Sequence, residues 1–317
     1  MMPLEEVRLL ARVALLYYRE GLKQSEIAER LDLSQATVSR MLRRAVDEGV
    51  VRISVSTPPN VFTEIENELS SRYELKSAIV VDCESDDDDD LIQQLLGTAA
   101  AYYIETTLGK DEVIGLSSWS STLLAMVDAM RPLNRPTGSK VVQILGGLGN
   151  PSASIYASRL TERFAYLVKG TAVYLPAPGV TASKEAHDSF LHDTFVNHAV
   201  EYFDKLTLAL VGIGSLEPSV LLSRSGNVFS MEELETLRTA NAVGDVCLRF
   251  FDCDGKHIQS ELDERVFGID PVQLKNVRRS VGIAGGRRKE KAIRAAIVGG
   301  WINVLITDRC TAEFLLS

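Results

Sequence analysis

Eight short apolar runs punctuate the chain between residues 78 and 308. They are AIVVD (78–82), EVIGLS (112–117), KVVQILGG (140–147), TAVYLPA (171–177), LTLALVGIG (206–214), AVGDVCLRFFD (242–252), VGIAGG (281–286) and NVLITD (303–308). Helical patterns fall between most of them. A strand that is apolar along its whole length must be covered on both faces. Such strands alternating with helices predict an α/β domain built on a mainly parallel, Rossmann-like sheet. In that architecture ligands sit beyond the carboxyl ends of the strands.

The strand ends therefore carry the functional reading. They read GLSSWSST, ILGGLGN, VGIGS, FFDCDGK and IAGGRRKEK. Glycine lets a backbone approach a ligand closely, and the free amides at a helix start attract anions. The turn after the second run adds hydroxyl donors at Ser117, Ser118, Ser120, Ser121 and Thr122, with Trp119 among them. Lys289 follows Gly285-Gly286 and can supply a positive charge. Together these features describe a phosphate-and-hydroxyl cradle for a small ligand. Trp119 is open to two readings, packing or stacking on a sugar ring.

A catalytic serine is disfavoured. Gly115-Leu116-Ser117-Ser118-Trp119 lacks the second glycine of a nucleophile elbow, and His187, His192, His198 and His257 suggest no triad. His187 and His192 are five apart, which is not the spacing of a metal pair on a helix. The four cysteines form no CxxC, so no disulfide framework or zinc site is expected, and a reducing cytoplasm is. The acidic run at 82–90 reads as a solvated loop leading into a helix from Leu91. No apolar stretch is long enough for a membrane span, and MMPLEEVRLLARV does not read as a signal peptide.

Ahead of the α/β pattern lies a segment of different character. The net charge of the whole chain is −9. Residues 1–57 hold nine Lys+Arg against eight Asp+Glu, whereas the remainder holds 25 against 35. A helix over 4–20 ends at Gly21, and a short second helix begins near Gln24, with Ile27, Ala28 and Leu31 inward. After Asp32-Leu33, Ser34 is placed to cap a third helix that buries Val38, Met41 and Leu42. This is the layout of a helix-turn-helix, whose second helix enters the major groove. That helix presents Ser34, Gln35, Thr37, Ser39, Arg40, Arg43 and Arg44, with no acid between Ser34 and Val46. Gln and Arg suit base edges, and Ser, Thr and Arg also reach phosphates. VVRISVST (50–57) alternates like the strand of a wing. The expected division is a winged helix-turn-helix over 1–57, a linker or oligomerisation helix over 58–76, and an effector-binding domain over 77–317.

The motifs SEIAERLDLSQATVSRML, VVQILGGLG, YLPAP, ALVGIGS, AVGDVCLRFFDCDG, LDERVFGID, IAGGRRKEKAI and NVLITD together resemble the SorC family of bacterial transcriptional regulators, also called DeoR-like sugar-binding regulators. The resemblance spans nearly the whole chain. It implies an effector domain similar in fold to glucosamine-6-phosphate deaminase and ribose-5-phosphate isomerase, a homotetramer on operator DNA, no cofactor, and control by a sugar phosphate or related polyol. It implies that the serine-rich turn is the effector cradle, that Gly146, Gly147 and Asn150 form its neighbouring wall, that Asp252 accepts from sugar hydroxyls and that Lys289 pairs with a phosphate. One departure stands out: where many members carry a glycine in the turn, this chain has Trp119 and an extra residue, which suits an unphosphorylated sugar or polyol instead. A competing expectation is a sugar-phosphate isomerase or deaminase with a DNA-binding appendage. It would need an acid–base pair drawn from Asp245, Asp252 and Asp254, or a Schiff-base lysine such as Lys140 or Lys289.

Overall fold

The alternation of apolar runs resolves into one seven-stranded sheet. A computed structural model describes residues 4–51, 60–83, 88–227 and 229–317. The chain divides into two units, one ending at residue 58 and one beginning at residue 59.

In the first unit, α1 (Leu4–Tyr18), α2 (Gln24–Arg30) and α3 (Gln35–Asp47) pack around Leu10, Val13, Leu16, Ile27, Val38, Leu42 and Ala45. Ser34 caps α3 by accepting from the Thr37 amide at 3.1 Å. The turn between α2 and α3 passes through Asp32 at φ +54°, the left-handed region usually taken by glycine, which a short polar side chain tolerates. Met41, expected inside, is half-buried, and Ala45 takes the fully buried position instead. The expected wing strand lies almost wholly outside the described residues.

In the second unit the strands are β1 (Ser77–Val81), β2 (Val113–Leu116), β3 (Lys140–Gln143), β4 (Thr171–Val173), β5 (Leu208–Val211), β6 (Gly244–Val246), β7 (Arg249–Phe251), β8 (Arg279–Ile283) and β9 (Val304–Asp308). Seven of them form a fully parallel sheet in the order β1-β9-β8-β5-β2-β3-β4. Alternate side chains serve two cores. Leu208, Leu210, Val281, Ile283, Val304 and Ile306 face one layer, and Ala209, Val211 and Leu305 face the other. This two-sided burial is what the unbroken apolar runs required.

The run 242–252, expected as a buried strand, folds differently. It is not a strand of the main sheet but an antiparallel hairpin, β6–β7, turning at Cys247-Leu248. Both turn residues have positive φ, +53° and +62°. Two left-handed residues match the twist of a tight hairpin but are strained for side chains of this size.

Four further helices matter for the site and its support: α4 (Thr63–Arg72), α5 (Asp89–Thr107), α6 (Ser121–Ala129) and α7 (Pro151–Leu167). The segment 58–76, read as a linker or pairing helix, holds α4 against β1 and the helix Arg309–Leu316, with Leu69 fully buried. Helices α5 and α6 pack closely against each other, and Gly97 permits it. A Cβ there would stand 2.7 Å from backbone atoms of Ala125 and Met126.

Gly97→Ala should therefore push α5 from α6. The overpacking is expected to lower stability by roughly 1–3 kcal/mol even though alanine favours helix. Thermal unfolding of the full chain should show a midpoint several degrees lower.

Candidate effector pocket

The order of strands places a reversal beside β2. From β2 the chain steps outward to β3 and β4, then returns to lay β5 on the other side of β2. Loops leaving β2 and β5 diverge above the sheet and leave a crevice at their carboxyl ends. A cavity of about 190 Å³ occupies that place. Its walls come from the loops after β2, β3, β5 and β8, from Phe229 and Leu234, from the β6–β7 hairpin, and from the start of α5.

The turn after β2 is only partly what its hydroxyls suggested. Ser117, Trp119, Ser120, Ser121 and Thr122 line the cavity. Ser120 also caps α6, its Oγ accepting from the Leu123 amide at 3.3 Å. The start of α6, at Ser120, Ser121 and Thr122, thus stands at the cavity, and a helix start favours negative charge. Ser118 is turned away and donates to the Leu145 carbonyl at 2.6 Å. Trp119 is 5% exposed, and its indole N–H donates to the Gly146 carbonyl at 2.9 Å. Its ring is therefore a packed wall of the cavity rather than a free stacking platform.

Four other candidates are absent from the cavity walls. Gly146 lies against Pro178, where a Cβ would come within 2.3 Å of that carbonyl oxygen. Gly147 sits beside the Gln143 side chain, and the Asn150 amide donates to the Ser225 carbonyl at 2.8 Å. Asp252 accepts from the amides of Asp254 and Lys256 at 3.0 and 2.9 Å, so it organises its own turn.

The buried carboxylate at the cavity is Asp245. It is 9% exposed and accepts from the Leu248 amide at 2.9 Å, across the strained hairpin turn. Its backbone exchanges hydrogen bonds with Gly214 at 2.9 and 3.2 Å. Gly214 is obligatory there, because a Cβ would lie 2.0 Å from Asp245 Oδ1. Burial raises the Asp245 pKa from 3.8 to about 6, partly opposed by the Leu248 amide and by Lys289. Lys289 lines the cavity, and burial lowers its pKa, with Asp89 and Asp245 pulling the other way. Cys247 also lines the cavity; burial pushes its thiol up to about 12, against a hydrogen bond with Ser117, so it is no nucleophile. Leu145, Leu216, Leu222, Phe229, Leu234 and Phe250 supply apolar wall.

Asp245 had a legible signal. It interrupts the apolar run AVGDVCL, where an acid is buried and so partnered, whereas the DCDG around Asp252 has turn composition.

On α3, Gln35, Ser39, Arg40, Arg43 and Arg44 are exposed and Thr37 is half-buried. Arg40 donates to Thr37 Oγ1 at 3.4 Å, and Ser34 and Thr37 share a hydroxyl contact of 2.8 Å. Arg44 is ion-paired with Glu6 and, at 3.8 Å, with Glu48.

Comparison with known proteins gives both halves a context. The family model described as "Putative sugar-binding domain" matches residues 58–317, and the MarR family model matches residues 8–57. The chain is 32% identical over 313 residues to the deoxyribonucleoside regulator of Bacillus subtilis (strain 168), covering 99% of this chain and 98% of that protein. It is 29% identical over 317 residues to the sorbitol operon regulator of Klebsiella pneumoniae, covering 99% of each. The crystal structure of full-length SorC, that sorbitol operon regulator, matches with a TM-score of 0.74 and 28% identity, over 98% of this chain and 99% of SorC.

This chain belongs to the SorC family.

As a SorC-family protein it is a DNA-binding transcriptional regulator with a sugar-binding domain. The sugar-binding domain of the regulator DeoR from Pseudomonas syringae pv. tomato, 37% identical, matches 80% of this chain and 97% of that domain with a TM-score of 0.63. Among the described residues of this SorC-family chain, no helix is long and apolar enough to cross a membrane.

A carboxyl whose folded pKa lies above its unfolded value holds its proton longer in the folded chain. Its favourable contribution is present at acid pH and is lost as pH rises through about 6. Asp245→Asn should remove that dependence, which is worth roughly 2–3 kcal/mol. Urea unfolding from pH 4 to 7.5 is expected to show a flatter profile for the variant and no loss of stability at pH 7.5.

Proposed function

We propose that the cavity at the β2/β5 reversal is the effector site of this regulator, and that a small carbohydrate, free or phosphorylated, binds there. The observation that carries this is the meeting of Asp245, Lys289, the serine turn and the start of α6 in one crevice, although they come from parts of the chain far apart in sequence. Asp245 suits sugar hydroxyls as an acceptor, while Ser117, Ser120, Ser121 and Thr122 can donate or accept. Lys289 and the α6 amides suit an anionic group. The apolar side, with Leu216, Phe229 and Phe250, suits the carbon face of a ring.

The relatives' names, a deoxyribonucleoside regulator and a sorbitol operon regulator, are in keeping with an effector of this size and polarity. Binding rather than turnover is supported by the composition of the site. No histidine is among its described lining residues, the Cys247 thiol is held protonated, and Lys140 stands on the N-terminal end of β3, paired with Tyr202 at 2.7 Å. The protein acts in the cytoplasm without a cofactor.

Residues Gln35, Thr37, Ser39, Arg40 and Arg43 of α3, at whose start Ser34 stands, form the operator-reading surface, with Arg44 held by Glu6 at its edge. A single small head binds DNA weakly, so operator binding by a homotetramer is the working assembly. The effector acts by preferring one arrangement of the assembled bodies, a coupling typically worth about 1–3 kcal/mol.

Two measurements test the two ends of this reading. Thr37→Ala/Arg40→Ala should abolish sequence-specific operator binding in a gel-shift assay while leaving the thermal midpoint nearly unchanged. Retained specificity would remove α3 as the reading helix. A thermal-shift panel of matched sugars, polyols and their phosphates should reveal a stabilising compound, and Lys289→Ala or Asp245→Asn should weaken its binding at least roughly tenfold. A compound that stabilises both variants as well as the wild type binds elsewhere.

A further inference from the structure

Asp89 is a cavity residue for which the effector reading has no use. It stands in the first turn of α5, which Asp88 caps, and Asp90 follows it. Its carboxylate forms an ion pair with Arg288, and both residues line the cavity. It also attracts Lys289, the neighbour of Arg288. The run 82–90 was expected to be a solvated loop. Residues 84–87 are outside the described part, but Asp89 is at the site.

The charges that line the cavity can then be compared. Among the described lining residues, Arg288 and Lys289 are the cations, and Asp89, Asp245 and the exposed Glu217 are the anions. A phosphate monoester brings roughly −1.5 to −2 at neutral pH. It enters a corner where acids already outnumber bases and where Arg288, the group best shaped to grip it, is engaged by a carboxylate. A neutral sugar meets no such competition.

We infer that Asp89 is a specificity-determining residue: it occupies Arg288 as an internal anion, so that a phosphorylated effector binds only by displacing it, while an unphosphorylated sugar or polyol binds with the pair intact. This rests on the cavity being the effector site. It assigns to the start of α5 a task distinct from that of Lys289. Lys289 attracts an anion, and Asp89 sets how strongly an anion is preferred over its neutral parent. It also puts the discrimination between the two effector classes at Arg288 and Asp89 rather than at Trp119, whose polar atom is already bonded to Gly146.

The test is titration calorimetry on the full-length protein at low ionic strength, with inorganic phosphate, D-glucitol 6-phosphate and D-glucitol as probes. Asp89→Asn should bind the two phosphate probes roughly five- to tenfold more tightly than the wild type, with D-glucitol unchanged. Asp89→Ser, which keeps a helix-starting side chain, should do the same. Asp90→Asn removes the same charge one residue further on, at an exposed position away from the cavity, and should produce little change. An equal gain in Asp90→Asn reduces the effect to general charge and overturns the inference, as does the absence of any gain in both Asp89 variants. Lys289→Ala separates the two levels. If it weakens phosphate binding and Asp89→Asn does not strengthen it, the inference fails while the effector site stands. If neither variant alters phosphate binding, both fail.

Discussion

A carboxylate with little access to water organises this regulator's pocket. Isolated, a buried carboxylate is strongly disfavoured, and it is tolerated only with hydrogen bonds and counter-charge around it. Asp245 has the Leu248 amide, the electrostatic pull of Lys289 and a neighbour, Gly214, that offers no side chain to collide with it. Each condition constrains a different part of the chain. The hairpin must turn tightly enough to bring Leu248 back to Asp245, which places two residues in the left-handed region. The loop after β5 must be glycine at 214 and must bridge to the hairpin through its backbone. The loop after β8 must deliver a lysine into a setting that itself disfavours a charged amine. Strain and desolvation of this kind collect at binding sites, where a ligand can relieve them.

Much of the fold was legible because its physics is periodic. Unbroken apolar runs such as LTLALVGIG announced strands buried on both faces, and Ser34 announced the start of α3 through its capping chemistry. The run AVGDVCLRFFD misled because periodicity does not say which sheet a strand joins. The fold at Cys247-Leu248 depends on a turn that usually carries glycine or asparagine, and neither residue is there.

The site was legible by region and less so by residue. Glycines and hydroxyls at strand ends pointed to the rim of the sheet where the cavity lies. They did not separate Ser120, which faces the cavity, from Ser118, which bonds to Leu145, because adjacent residues in a loop have no fixed phase. Asp252 drew attention through its turn motif, yet a turn aspartate commonly bonds to its own backbone. Asp245 and Asp89 owe their places to the hairpin and to α5, elements whose positions depend on contacts distant in sequence.

The strand reversal at β2 has a consequence for how order is distributed in the body. The cavity draws on segments far apart in the chain, among them the start of α5, the loops after β2, β3, β5 and β8, and the hairpin. A molecule held by several of them binds only while those segments are in register, so occupancy and local order rise together. Segments spaced over most of the domain then open as one unit when the cavity is filled and as several when it is empty. A small molecule seated there acts as a removable cross-link, restraining loops that the backbone joins only through long detours.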